Sequence, residues 1–204
     1  MKKRGRLIVI DGCEGAGKTT LINRLKNSLP KDSFVFTHEP GGTPLADRIR
    51  ELFLLEEFKD MPLESMFGLV WASRADHIKN KILPALQKGI NVISDRFDSS
   101  TYAYQVSVDP NRKLEELFWQ TREVYLKDCK PDLYVFLDVL PENIKARIDL
   151  KGNNKTYFDN RELSYHRMIS EGLREFFNKV NGVSIDANQT IEEVEENFLN
   201  ILKS

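Results

Sequence analysis

Leu7-Ile8-Val9-Ile10-Asp11-Gly12-Cys13-Glu14-Gly15-Ala16-Gly17-Lys18-Thr19-Thr20 is the stretch from which the rest of the chain can be read. Four apolar residues form a buried-strand run that ends at Asp11. Residues 12–19 then match G-x-x-x-x-G-K-[ST] in full, and Leu21, Ile22, Leu25 and Leu29 recur at helical spacing up to Pro30. A strand before the glycines and a helix after them is the context that separates a working phosphate loop from a chance match. The glycines let the backbone curl so that several N–H groups point inward, and the positive end of the helix reinforces them. Lys18 is expected to reach the β- and γ-phosphates of a nucleoside triphosphate and the Thr19 hydroxyl to ligate Mg²⁺. The bland alternative is a glycine-rich turn with no ligand.

Working outward, short β-rich runs alternate with longer helical patterns. Strands are expected over 7–10, 33–37, 91–94, 133–137 and 183–185. Helices are expected over 20–29, 44–55, 64–88 with a kink at Pro84, 114–126, 141–150, 161–178 and 190–202. Strands separated by helices argue for parallel βαβ units, a single α/β/α domain over 1–204 with a five-stranded sheet. In such a sheet function gathers beyond the carboxyl ends of the strands, here Asp11, His38, Ser94 and Asp138 onward. Only residues 151–160 read as loose.

Composition narrows the function. The chain has 204 residues, 41% hydrophobic and 30% charged, with 30 Lys+Arg against 31 Asp+Glu. No bulk positive field favours a nucleic-acid partner, so cations that meet phosphates must be concentrated locally. Cys13 and Cys129 cannot build a disulfide framework or a cysteine-rich zinc site, and fit a reducing compartment. The basic start, residues 1–6, precedes only four apolar residues, where a signal peptide needs roughly 7–15 and a membrane span about 20. A cytoplasmic, membrane-free protein is the expectation. A guanine-reading Asn-Lys-x-Asp is absent, because Asn154-Lys155 runs into Thr156-Tyr157, and no plausible Asp-x-x-Gly switch is present. What remains is a small phosphotransferase, provided a second substrate site exists.

Three segments could build that site. Asp95-Arg96-Phe97 ends the third strand, where the planar fork of Arg96 suits a phosphate, although a capping Asp with a surface Arg is the simpler reading. Phe67, Val70, Trp71 and Arg74 share one helix face at i, i+3, i+4 and i+7, enough to hold a flat base or to make an ordinary core stripe. His38-Glu39-Pro40-Gly41-Gly42-Thr43 is a turn with little reason to exist unless something docks on it.

In this order the segments resemble the thymidylate kinase family, bacterial branch. The likeness rests on GCEGAGKTT (12–20), EPGGT (39–43), ASRADH (72–77), ILPAL (82–86), SDRFDSSTYAYQ (94–105), PDLYVFLDV (131–139) and IDANQT (185–190), essentially the whole chain. It implies transfer of phosphoryl from ATP to dTMP with Mg²⁺, in a homodimer, with the 64–88 helix a candidate contact. By the same resemblance Gly12, Glu14, Gly15, Ala16, Gly17, Lys18, Thr19 and Thr20 hold ATP, with Ala187 in the adenine loop and Thr19, Glu14 and Asp95 near the metal. Glu14 also meets the acceptor 3′-OH, Arg96 grips the dTMP phosphate beside Asp95, and Arg74 reads the thymine edge. Ser100 and Thr101 fall at base-reading positions, Tyr104 under the sugar and Gln105 near the base, with Glu39, Pro40 and Arg50 on the acceptor side.

Departures from the family pattern matter too. Val70 stands where relatives carry a stacking phenylalanine, so either Trp71 or Phe67 compensates or base affinity is lower. His38 replaces a common arginine, Thr156-Tyr157 replaces the lid's usual Asp-Arg pair, and Val106-Ser107-Val108-Asp109 replaces a glycine-rich stretch. Lys145, Arg147, Lys151 and Lys155 cluster around the loose 147–160 lid, and Arg147 is the first choice for its catalytic cation, against a plain solvated helix face. A kinase for another monophosphate or a deoxynucleoside, and a non-catalytic nucleotide-binding protein, are the rival readings.

Overall fold

In the computed structural model, which describes residues 3–55, 60–150, 152, 155–156 and 158–203, five parallel strands form one sheet in the order β2-β3-β1-β4-β5. They are β1 (Leu7–Asp11), β2 (Phe34–His38), β3 (Asn91–Asp95), β4 (Leu133–Asp138) and β5 (Val183–Asp186). The all-apolar run of β1 is buried throughout because it lies between β3 and β4, while β2 and β5 form the more exposed edges. The chain leaves β1 with one neighbour on either side that comes later in sequence. The loop after β1 therefore opens at the point where strand order reverses, which is where such sheets hold ligands.

The helices are α1 (Lys18–Ser28), α2 (Pro44–Leu54), α3 (Leu63–His77), α4 (Leu83–Gln87), α5 (Asp98–Thr101), α6 (Glu115–Tyr125), α7 (Pro141–Asp149), α8 (Leu163–Lys179) and α9 (Ile191–Lys203). The amphipathic α8 buries Ile169, Leu173, Phe176 and Phe177 against the sheet. α9 packs on α1 and is tied to it by Arg24, which reaches Glu192 at 2.8 Å and Glu195 at 2.6 Å.

One expectation needs correction, and one further segment has structure of its own. The 64–88 pattern is not one helix kinked at Pro84. A π turn, Ile78–Ile82, divides α3 from α4, and the Leu83 N–H donates to the Ile78 carbonyl. Pro84 offers no N–H to the carbonyl of Asn80, and the helix widens ahead of the proline rather than bending at it. The stretch after β3, to which no element is assigned from periodicity, is the short α5 followed by a second π turn, Tyr102–Val106. Tyr102 packs against Phe118 of α6 and Phe176 of α8, and Tyr104 against Tyr165 of α8, so tertiary contact holds a segment too short to be stable alone. No helix among the described residues is long and apolar enough to cross a membrane.

Candidate active site

The loop after β1 turns through positive φ at Gly15 and Gly17, 76° and 91°, before α1 begins. Those angles are the reason glycine recurs there. Lys18 folds back over the loop, its Nζ donating to the carbonyls of Gly12 at 2.7 Å and Cys13 at 3.0 Å. Burial, then repulsion from Arg96, lowers its pKa. Burial pushes the neighbouring Cys13 thiol up to about 12 despite Lys18, so that sulfur is a packing group and not a nucleophile.

A cavity of about 650 Å³ opens from this loop. Glu14, Gly15, Ala16, Gly17, Lys18, Thr19 and Thr20 line its floor. Glu39, Pro40, Arg50, Val70, Asp95, Arg96, Ser100, Thr101, Tyr104 and Gln105 line one wall, and Arg147 and Ala187 the other. The structure thus gathers most of the residues singled out in the sequence around one space. Gly12 lies under the loop, buried, its N–H on the Asp11 carboxylate at 2.8 Å.

Arg96 is the hinge of the acceptor wall. It sits at φ 68°, an unusual conformation for a residue with a side chain, and its N–H donates to Ile10 of β1. From there its guanidinium reaches Asp11 at 3.3 Å, Glu14 at 3.1 Å and Ser100 at 3.0 Å, and lies 5.2 Å from the centre of the Tyr104 ring. Burial works against its charge, but Tyr104, Glu14, Asp11 and Asp95 raise its pKa well above the ordinary value. Glu14 is the counterpart. Burial opposes its ionisation, yet His166, Arg96, Lys18 and the Tyr104 hydroxyl together hold its carboxyl well below the usual range. A fixed cation and a fixed anion therefore face the cavity side by side.

Several contributors were not among the predicted site residues. Asp11, fully buried, accepts from Ser99 at 2.6 Å and Ser100 at 2.8 Å as well as from Arg96, and so anchors α5 to the phosphate loop. Phe53 and Leu54 of α2 line the cavity, as do Thr156, Phe158 and Asp159. The apolar run 52–55 at the end of α2 was the available signal for the first two, since it is more apolar than a surface helix end requires. Arg50, from the same helix, donates to the Pro40 carbonyl at 2.9 Å, bracing the turn that follows β2.

Trp71 and Arg74 do not line the cavity. Trp71 packs among Phe67, Phe118 and Tyr125, with ring centres 5.3–6.0 Å away, so the expectation of Trp71 or Phe67 as the exposed stacking ring is corrected. The helix face that carries both turns toward the aromatic core, and only its edge residue Val70 meets the cavity. Arg74 lies behind the wall, bonded to Glu39 and Thr101 and 4.4 Å from the Trp71 ring centre.

On the opposite wall Arg147 donates to the carbonyls of Ala187 at 2.7 Å and, at 3.4 Å, of Gly15. Asn188 accepts from the Leu140 N–H and the Asn143 side chain, fixing the 187–189 loop beside β4. Lys145 is exposed and Lys155 pairs with Asp149 at 2.7 Å; neither lines the cavity. Lys151, Asn153, Asn154 and Tyr157 of the expected lid lie outside the described residues.

The residues present fit a divalent cation. Asp95 Oδ1 is buried with no partner, and the Thr19 hydroxyl lines the same space. Among the described residues no group of three or more His, Cys, Asp or Glu could hold a metal by itself, as expected where phosphate oxygens complete the coordination.

Comparison with known proteins agrees with the site. The sequence profile described as "Thymidylate kinase" matches residues 10–198. A protein named thymidylate kinase from Francisella philomiragia is 34% identical, covering 97% of this chain and 97% of its own length. One from Hahella chejuensis is 35% identical over 95% of this chain and 93% of its own. A third, from Francisella tularensis subsp. novicida, is 35% identical over 98% and 96%. A profile match over nearly the whole chain, with a phosphate loop facing Arg96 across one cavity, leads to a single conclusion: the chain belongs to the thymidylate kinase family.

Proposed function

We propose that this protein transfers the γ-phosphoryl group of ATP to dTMP, giving ADP and dTDP. The observation that carries this reading is the facing of two phosphate-binding devices, Lys18 with Thr19 and Arg96, across a cavity large enough for two nucleotides. Phosphoryl transfer of this kind asks for position and charge neutralisation rather than covalent chemistry. Two unit charges 4 Å apart interact by about 4 kcal/mol at an effective dielectric of about 20, so donor and acceptor need cations between them.

Lys18 exchanges its two carbonyl partners for β- and γ-phosphate oxygens. Arg96, already braced by Asp11 and Glu14, presents its remaining N–H groups to the acceptor phosphate. That phosphate attacks with an oxygen that is already anionic, so no strong base is required, and Asp95 organises rather than abstracts. Glu14 and Tyr104 pack beside the acceptor sugar, and Val70, Thr101, Gln105 and Phe53 enclose the base. Arg147 supplies a further cation from the donor side. Mg²⁺, held by Thr19 and Asp95 with Glu14 nearby, would supply charge neutralisation at the donor oxygens.

We further assign a homodimer. Leu117, Val124 and Tyr125 leave an apolar stripe exposed on α6, beside the α3 helix named as a contact by resemblance. Two free, buried cysteines fit a reducing, cytoplasmic setting. The experiment is a coupled assay of ADP release with dTMP, dUMP, dCMP, dGMP and thymidine as acceptors. ATP consumption that depends on dTMP and exceeds every other acceptor supports the reading; equal turnover with thymidine, or none with any acceptor, overturns it.

A further inference from the structure

A triphosphate seated on residues 12–19 leaves its base one direction to take. Arg96, Tyr104 and Gln105 belong to the acceptor wall, so the donor base lies against the opposite one, where Arg147, Ala187, Gln189, Ile191 and Val194 line the cavity. Ala187 and Val194 are buried and Ile191 half-buried, and together they offer a flat ring an apolar surface.

A site that selects adenine has to accept from its exocyclic amino group. On this wall the Ala187 carbonyl and the side-chain acceptors of residues 188 and 189 are already taken. Arg147 Nη2 donates to the Ala187 carbonyl at 2.7 Å, and Arg147 Nη1 to that of Gly15 at 3.4 Å. Asn188 Oδ1 accepts from the Leu140 N–H at 3.0 Å and from Asn143 Nδ2 at 2.8 Å. Gln189 Oε1 accepts from Asn197 Nδ2 at 2.9 Å. The Ala187 carbonyl keeps a second lone pair, but that lone pair lies beside a guanidinium. The cation repels the partly positive amino hydrogens of adenine and attracts a keto oxygen. What the wall has left is a donor, because the Nε2 hydrogens of Gln189 make no bond among the described residues. An amide N–H serves a ring nitrogen of adenine or the 6-keto oxygen of guanine or hypoxanthine alike.

We propose that the donor site recognises the triphosphate and an apolar ring face but not the purine edge, so that the 6-keto purine triphosphates ITP and GTP serve as phosphoryl donors alongside ATP. Rejecting a near-isosteric base by a factor of roughly 10⁴ takes polar groups that the wrong base leaves unpaired, and an apolar surface discriminates far less. The chemistry is unchanged. The bond from the γ-phosphorus to the β,γ-bridging oxygen breaks, and an acceptor phosphate oxygen bonds to that phosphorus. The bridging oxygen leaves with its electron pair on IDP or GDP. This inference rests on the reading of residues 12–20 as the donor's phosphate site.

The test measures kcat/KM for ATP and for ITP at saturating dTMP, following dTDP by chromatography. A ratio within about tenfold is expected, and a preference for ATP beyond that overturns the proposal. Gln189→Glu keeps an oxygen for Asn197 and puts an acceptor where the donor stood. It should raise the preference for ATP over ITP about tenfold, and an unchanged ratio in the folded variant contradicts the placement of the base. Calorimetry with Mg·ADP and Mg·IDP judges the site without turnover. Dissociation constants within about tenfold of each other are expected, and a wider gap counts against the proposal. Should no donor phosphorylate dTMP, the functional reading falls, while the two dissociation constants still decide what this wall recognises.

Discussion

The two sides of the cavity are built from different materials. The donor side is a single run of backbone, residues 12–20, curled by positive φ at Gly15 and Gly17 into the start of α1, and its lysine rests on the carbonyls of its own loop. The acceptor side has no such run. It is assembled from α2, α3, the end of β3 and the π turn after α5, and is held by side-chain pairs in which Asp11, Glu14 and Glu39 each serve two or more partners. Backbone devices tolerate side-chain changes around them, whereas a side-chain network loses several contacts when one member goes.

That contrast is sharpest at Arg96. Arg96→Ala removes the acceptor cation and leaves Asp11 and Glu14 facing each other without it, so kcat/KM for dTMP should fall about 10³-fold or more, roughly 4 kcal/mol of transition-state stabilisation. Steady-state kinetics measure it, and a change under threefold would erase the distinction between the walls. Trp71→Ala tests the same side through packing. The cavity left among Phe67, Phe118 and Tyr125 should cost about 3–5 kcal/mol of stability in denaturant titration, with the KM for dTMP unchanged in protein that remains folded. A raised KM at unchanged stability would return Trp71 to the base-binding surface.

On the donor side Arg147→Ala should lower kcat about 100-fold while leaving dTMP affinity nearly intact. An unaltered kcat would remove Arg147 from the mechanism. Phe53→Ala, which thins the apolar rim without touching a charge, should raise the KM for dTMP about fivefold, in line with one buried ring edge. Lys155→Ala, whose partner Asp149 is exposed, should change kcat less than twofold. A large effect there would move the catalytic cation from Arg147 to Lys155.

The same difference in materials explains what could be read in advance. The phosphate loop and all five strands were legible because each is contiguous, with period and punctuation visible in one dimension. The order of the strands was not, since it depends on which crossover packs where. The residues of 98–106 were singled out by motif, but their helical form was not, because the short helix and π turn are held through contact with α6 and α8. Trp71 and Val70 sit side by side on one stripe, and spacing alone could not say which of them the core would claim. Asp11 looked like the end of a strand, and its link to Ser99 and Ser100 spans almost ninety residues.

Direct transfer between two bound nucleotides is what both walls together are built to do. A single-turnover reaction with γ-labelled ATP, excess enzyme and dTMP examines this in one step. The label should appear in dTDP, with no free phosphate released ahead of it. Label recovered as inorganic phosphate at the same rate with or without dTMP would mean that the two sides of the cavity do not work on one another.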